Sequence, residues 1–154
     1  MNPVAGPYFN ISTNQPTGVV AAFAPQGSSL VGLVNTIAPV IVTGNTIVVV
    51  ASESLPLSAI TLTEVLATSD LPGGVVNVLT GKESEMAPWL ASHQDVNALD
   101  LEGTSNPVDL EIRGAETLKR IVRPGTFSRT GSKGSLQQIL AFMEVKTVWH
   151  PKGH

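Results

Sequence analysis

Few side chains in this sequence have the type and setting for covalent or acid–base chemistry. Ser28 and Ser29 follow an apolar run at 18–24. A serine leaving a strand can be a nucleophile, but neither lies in a Gly-x-Ser-x-Gly elbow, so both read as caps of the helix that follows. There is no cysteine, which excludes disulfides, thiolate metal sites and cysteine nucleophiles. His150 and His154 stand near the C-terminus without a carboxylate partner and read as an exposed end, so no metal site is expected. Glu83, Glu85, Asp109 and Glu111 read as helix-surface carboxylates, with nothing to pair them for proton transfer.

The elements that would position these residues alternate along the middle of the chain. Residues 18–24 (GVVAAFA) form a continuous apolar run, as in a strand buried on both faces. A helix is predicted over 30–42, ending near Gly44-Asn45. The β-branched run 46–51 is a second strand. Ser54 precedes a helix over 56–68, with proline tolerated in its first turn. Asp70-Leu71-Pro72-Gly73-Gly74 is turn chemistry. Residues 75–79 form a third strand, 83–92 a third helix and 98–101 a short fourth strand. Strands joined by helices of this length imply right-handed crossovers and a parallel sheet. The ends differ: 8–13 and 143–149 alternate polar with apolar, as half-exposed antiparallel strands do. A short helix is expected at 135–140, and 123–134 reads as a loop.

The chain has 154 residues, enough for one domain with a proper core. Charged residues make up only 14% against 42% hydrophobic, which suggests a surface partly covered by another subunit. The net charge of −3 gives no electrostatic footprint for nucleic acid or an anionic membrane. The apolar stretch 19–50 is interrupted by Pro25, Gly27, Pro39, Gly44 and Asn45, so no membrane span is expected. With no signal-peptide pattern, the expectation is a cytoplasmic protein.

One ordered set of short motifs carries more information. Pro16-Thr17-Gly18-Val19-Val20, Ile37-Ala38-Pro39, Gly44-Asn45-Thr46, Ser52-Glu53, Pro56-Leu57-Ser58-Ala59 and Leu71-Pro72-Gly73-Gly74-Val75-Val76-Asn77-Val78 occur in sequence. His93, Asp95-Val96 and Gly103 follow. The set resembles the coenzyme-binding half of the NAD(P)-dependent aldehyde dehydrogenases. Glu144-Val145-Lys146-Thr147-Val148 resembles that family's last, oligomerisation strand. The resemblance covers most of 8–103 and the C-terminal strand.

Several working positions depart from the pattern that the resemblance implies. Gly27 stands where the family has an asparagine that stabilises the oxyanion, and losing one such donor typically costs about 100–1000-fold in rate. Val50 replaces the lysine that contacts the adenosine ribose or the extra phosphate of NADP. Glu53 remains in the ribose-contacting position as a vestigial cofactor residue, though capping a following helix or meeting solvent explains it equally well. After Gly103 the second glycine of the family's Gly-x-x-x-x-Gly turn is Val108, and Pro107 cannot donate a backbone N–H. Leu118-Lys119-Arg120-Ile121-Val122 resembles the approach to the general-base glutamate, but Arg123-Pro124-Gly125 follows instead. No stretch corresponding to the family's catalytic domain lies between there and the last strand.

The expected fold is α/β, a small Rossmann-like parallel sheet with helices on both faces and a β arm from the two termini. Residues 1–154 are expected to form a single aldehyde-dehydrogenase-like domain, with a core at 14–123 and an oligomerisation arm from 1–13 and 135–154. Phe9, Ile11, Met143, Val145 and Trp149 are expected on one apolar interface face. The function expected is that of a truncated, catalytically inactive relative with a structural or protein-interaction role. It would form a homodimer or higher oligomer, or bind a full-length aldehyde dehydrogenase. No cofactor is expected beyond weak NAD binding. An NAD or adenine-nucleotide binding module is the alternative, and an oxidoreductase component that needs a partner for catalysis is a third reading.

Overall fold

The computed structural model describes residues 1–127 and 134–152. The central part of the expected loop, 128–133, and His154 lie outside the described residues. In chain order the elements are β1 (Tyr8–Pro16), β2 (Val19–Phe23), α1 (Leu30–Ile41), β3 (Thr46–Val50), α2 (Leu57–Ala67), β4 (Val76–Leu79), α3 (Glu83–Ser92), β5 (Ala98–Asp100), α4 (Pro107–Ala115), β6 (Arg120–Val122), α5 (Leu136–Leu140) and β7 (Met143–Pro151).

The five core strands lie in the order β4-β3-β2-β5-β6, and every neighbouring pair is parallel. The period of two along each strand divides the core between the two faces of this sheet. Val20 and Ala22 of β2, Ile47 and Val49 of β3 and Ala98 of β5 meet Leu33, Ile37 and Val40 of α1, Ala59 of α2 and Phe142. Ala21 and Phe23, Val50 and Leu99 meet Ala87 and Ala91 of α3 and Leu110 of α4. The helices therefore cover both faces, as the apolar runs required.

Two elements carry little periodic signal in the sequence. α4 buries only Leu110 and Gly114, so its apolar stripe is too thin to recognise. Gly114 lets this helix lie close to the sheet: a Cβ there would stand 3.0 Å from Leu99 Cδ1, and the leucine side chain would have to shift by a few tenths of an ångström. β6 has three residues and is defined by its pairing to β5 rather than by any pattern of its own.

β1 and β7 form a separate two-stranded antiparallel ribbon. Its register corrects the expectation of one shared apolar face. Directly opposed residues project to the same side, and the register pairs Asn10 with Trp149, Asn14 with Val145 and Pro16 with Met143. Met143, Val145 and Trp149 therefore lie on the side of Tyr8 and Asn10. Phe9 and Ile11 pair with His150 and Val148 and lie on the opposite side. The edge-to-face contact of Tyr8 with Trp149, centroids 6.0 Å apart, fixes the first side. Both sides carry apolar residues because the alternation of the two strands is out of phase by one position in this pairing.

The ribbon starts later than 135. Ser135 and Gln138 make a capping box for α5, α5 packs beside α1, and Phe142 is fully buried in the core. Only from Met143 does the chain leave the core, and β1 correspondingly runs on to Pro16.

The buried amide of Asn45 joins ribbon to core. Its Oδ1 accepts from Gly18 N at 2.7 Å, and its Nδ2 donates to Phe142 O at 2.8 Å and Thr43 Oγ1 at 2.6 Å. Gly18 has φ +127° and its hypothetical Cβ would stand 2.3 Å from Asn97 Oδ1, so the connection from β1 to β2 requires glycine. Replacing Asn45 by alanine leaves the Gly18 N–H and the Phe142 carbonyl without this partner. The expected loss is about 2–4 kcal/mol of stability, read as a lower urea midpoint at unchanged m-value; an unchanged midpoint would show that the clamp contributes nothing.

Candidate functional site

Strand order reverses between β2 and β5, since the chain moves from β2 outward to β4 and then returns to β5 and β6. In open parallel sheets the crevice outside the carboxyl ends of the strands at such a switch is the usual ligand site. Four loops meet there, following β2, β3, β4 and β5, and each is tied to its neighbours by side chains.

The loop after β2 is held to the loop after β3 through Gln26. Its side-chain oxygen accepts from Glu53 N at 2.8 Å, and its backbone oxygen accepts from the hydroxyls of Ser52 at 3.1 Å and Ser54 at 3.0 Å. Ser28 caps α1, with its Oγ accepting from Gly32 N at 2.9 Å. Ser29, by contrast, makes no cap; its hydroxyl meets that of Ser58 on α2. Neither serine faces a histidine or a carboxylate in these contacts, and both serve α1 and its packing.

Glu53 is exposed, and its Oε1 accepts from Glu83 N at 2.5 Å. It thus caps the start of α3, a helix across the crevice, and not α2, the helix that follows it in sequence. Glu83 corrects the expectation of a surface carboxylate, being only 6% exposed. Its Oε1 accepts from Ser105 N at 3.0 Å and from the hydroxyls of Thr104 and Ser105 in the loop after β5. Two carboxylates in succession therefore link the loops after β3, β4 and β5. The loop after β5 also packs backbone to backbone against the end of β2: a Cβ on Gly103 would stand 2.2 Å from Phe23 O. Glycine is needed there for close approach.

Val50, where the resemblance puts a lysine, is buried in the α3–α4 side of the core. Val108 is exposed on the second residue of α4. Arg123, standing where a glutamate was looked for, makes two hydrogen bonds to Glu111, at 2.9 and 3.0 Å. Those bonds and the carboxylate charge raise its pKa further above the ordinary guanidinium value. Asp109 pairs with Arg113 one turn along α4. His93 sits at the opposite end of the sheet, its Nδ1 accepting from Asp95 N at 3.2 Å. His150 is exposed on the ribbon. Among the described residues no three of His, Asp and Glu are grouped to hold a metal.

Three charged residues are buried without a sequence signal: Glu83, Asp100 and Lys119. The Lys119 ammonium donates to His93 O at 2.6 Å and Val96 O at 2.7 Å, where it closes the C-terminal end of α3. Burial lowers its pKa, and the nearby charge of Asp95 opposes that. An apolar cavity of about 440 Å³ lies elsewhere, between α1 and α5 beside Asn35, Ala38, Pro39 and Ile139.

The fold and this crevice define a doubly wound, nucleotide-domain type of chain, and comparisons with known proteins narrow it. The aldehyde dehydrogenase family model matches residues 2–123. Human aldehyde dehydrogenase 1A1 is 31% identical over 121 residues, covering 77% of this chain and 24% of the relative. Retinal dehydrogenase 2 of Gallus gallus is 32% identical with 77% and 23% covered. Among solved structures, an aldehyde dehydrogenase of Brucella melitensis biovar abortus 2308 superposes with a TM-score of 0.71 at 27% identity, covering 79% of this chain and 25% of that one. PnpE of Pseudomonas sp. WBC-3 gives 0.69 at 32% identity, covering 78% and 25%. This chain belongs to the aldehyde dehydrogenase family. It spans about a quarter of the length of these relatives.

The cap made by Glu53 is open to test. Glu53→Ala is expected to cost about 1 kcal/mol, a fall in Tm of about 2–4 °C. A calorimetric scan with Tm unchanged would mean that the carboxylate does not hold α3.

Proposed function

We propose that this chain is a non-catalytic member of the family with a structural or protein-interaction role, assembling through its β1–β7 ribbon. The observation that carries the reading is the ribbon itself. Two strands alone are marginal in water. Among the described residues, no backbone group bonds to β7 except from the β1 side. The outer edge of β1 is partly covered, because Asn2 N donates to Asn10 O at 3.0 Å and the Asn2 side chain reaches Ser12. Beside the open β7 edge, Val145 is 70% and Trp149 57% exposed. An edge of this kind is normally covered. A second copy adding its own β7 would cover it by two-fold pairing, since a symmetric contact closes on itself. A full-length aldehyde dehydrogenase could cover it in the same way.

The chemistry supports the first half of the proposal. Aldehyde oxidation in this family would use a cysteine nucleophile, and this chain has none. Gly27, the residue at the oxyanion position, carries no side-chain amide to donate. A nucleotide-binding role is the second reading, favoured by the retained Glu53. Against it stand Val50, buried where a cationic donor would be needed, and the engagement of the Glu53 carboxylate in capping α3. An oxidoreductase component completed by a partner is the reading with least support, since it would need both nucleophile and base from outside.

Purified protein is expected to give no NADH from small aldehydes above a no-enzyme blank; sustained production by highly pure protein would end the non-catalytic reading. Titration calorimetry is expected to show NAD binding of about a millimolar or weaker, and micromolar affinity would favour the nucleotide module. Light scattering at micromolar concentration is expected to report a dimer or larger assembly, which Val145→Asp converts to monomer or aggregate. A soluble, folded monomer of the parent chain would remove self-assembly.

A further inference from the structure

The Glu83 carboxylate is nine-tenths buried, yet no lysine or arginine among the described residues pairs with it. A buried carboxylate without a counter-ion must be held by hydrogen-bond donors or it is costly. Its donors are Ser105 N and the hydroxyls of Thr104 and Ser105. They converge on one oxygen from a short loop that leads directly into α4 (Pro107–Ala115), whose amino end carries partial positive charge. Two hydroxyls and a backbone N–H before a helix, at the carboxyl end of a parallel strand, form the donor set that such sheets use for phosphate oxygens. The Asn106 side chain does not cap α4, so it does not compete for this role.

We propose that Glu83 is an internal anion that occupies the phosphate position in the crevice and keeps phosphate-bearing ligands out of it. This inference rests on the reading that the chain binds nucleotide weakly at best, and gives that weakness a cause beyond the loss of the lysine at position 50. The carboxylate excludes phosphate in two ways. It takes the three donors, and its charge repels a second anion. Glu53 fixes the arrangement, because its bond to Glu83 N at 2.5 Å sets the first residue of α3 and with it the starting point of the Glu83 side chain.

The ligand class that the vacated site would take is a phosphate or pyrophosphate group, and inorganic pyrophosphate is the probe. We expect the Ser105 amide in a proton–nitrogen NMR spectrum to stay fixed when the parent chain is titrated with pyrophosphate. In Glu83→Ala the same amide is expected to move, with affinity gained by about tenfold or more. Glu83→Gln keeps an acceptor and removes the charge, and is expected to give a smaller gain. A shift of Ser105 at equal affinity in the parent overturns the proposal. So does a folded Glu83→Ala that leaves Ser105 unmoved; if that variant does not fold, Glu83→Gln decides by the same criterion. NAD titrated into the parent tests the underlying reading separately. Tight NAD binding with Ser105 unmoved would remove the weak-nucleotide reading and leave the assignment of Glu83 standing, whereas tight binding that moves Ser105 would overturn both.

Discussion

The arrangement of this molecule depends on the buried side chain of Asn45. One amide, 1% exposed, satisfies the Gly18 N–H between β1 and β2 and the carbonyl of Phe142 between α5 and β7. Those are the two points at which the chain passes between the parallel core and the ribbon. Backbone groups buried at such crossings cannot be left unpaired without cost. Because both bonds come from one rigid side chain, the two crossings are fixed relative to each other, and the register of β1 on β7 follows. The positive φ of Gly18 and the burial of Phe142 are then consequences of the same junction.

At the other end of the core strands, hydrogen bonds and close backbone packing fill the crevice with contacts from the chain's own atoms. Gln26 joins the first two loops, Glu53 and Glu83 join the next two, and Gly103 lets the last loop lie against the end of β2. Each of these groups satisfies backbone donors or acceptors that a ligand would otherwise meet. The polar groups of the crevice bond to one another, while the ribbon leaves Trp149 and Val145 in solvent. The proposed interaction role rests on this division between a self-bonded crevice and an open strand edge.

Charge is distributed to match. Lys82 is the first basic residue of the chain, and Glu53 and Glu64 are the only acidic ones before Asp70. α1 and α2 therefore cover their side of the sheet almost without charge, while α3 and α4 carry the pairs Lys82–Glu85 and Arg113–Asp109. Such exposed pairs add little stability, but they keep that side solvated.

The sequence by itself determined the elements whose signals are local. Apolar runs gave β2 to β5, and the strand–helix alternation gave their parallel direction. Glycine and proline placed the turns, and the ordered motifs from Pro16 to Gly103 carried the family. The lack of cysteine was likewise plain from composition. What the sequence did not contain was the pairing of side chains distant in the chain. Glu53 could be seen as a cap, but only the tertiary structure chose α3, thirty positions away, over the neighbouring α2. Glu83 reads as a surface carboxylate because nothing local announces the loop that buries it, and nothing local marks Lys119 as buried. The apolar residues of the ribbon were visible, yet their distribution over two faces was not. Alternation within a strand fixes which of its own residues share a side, whereas the register against a partner strand is set by long-range contacts, here by the junction at Asn45.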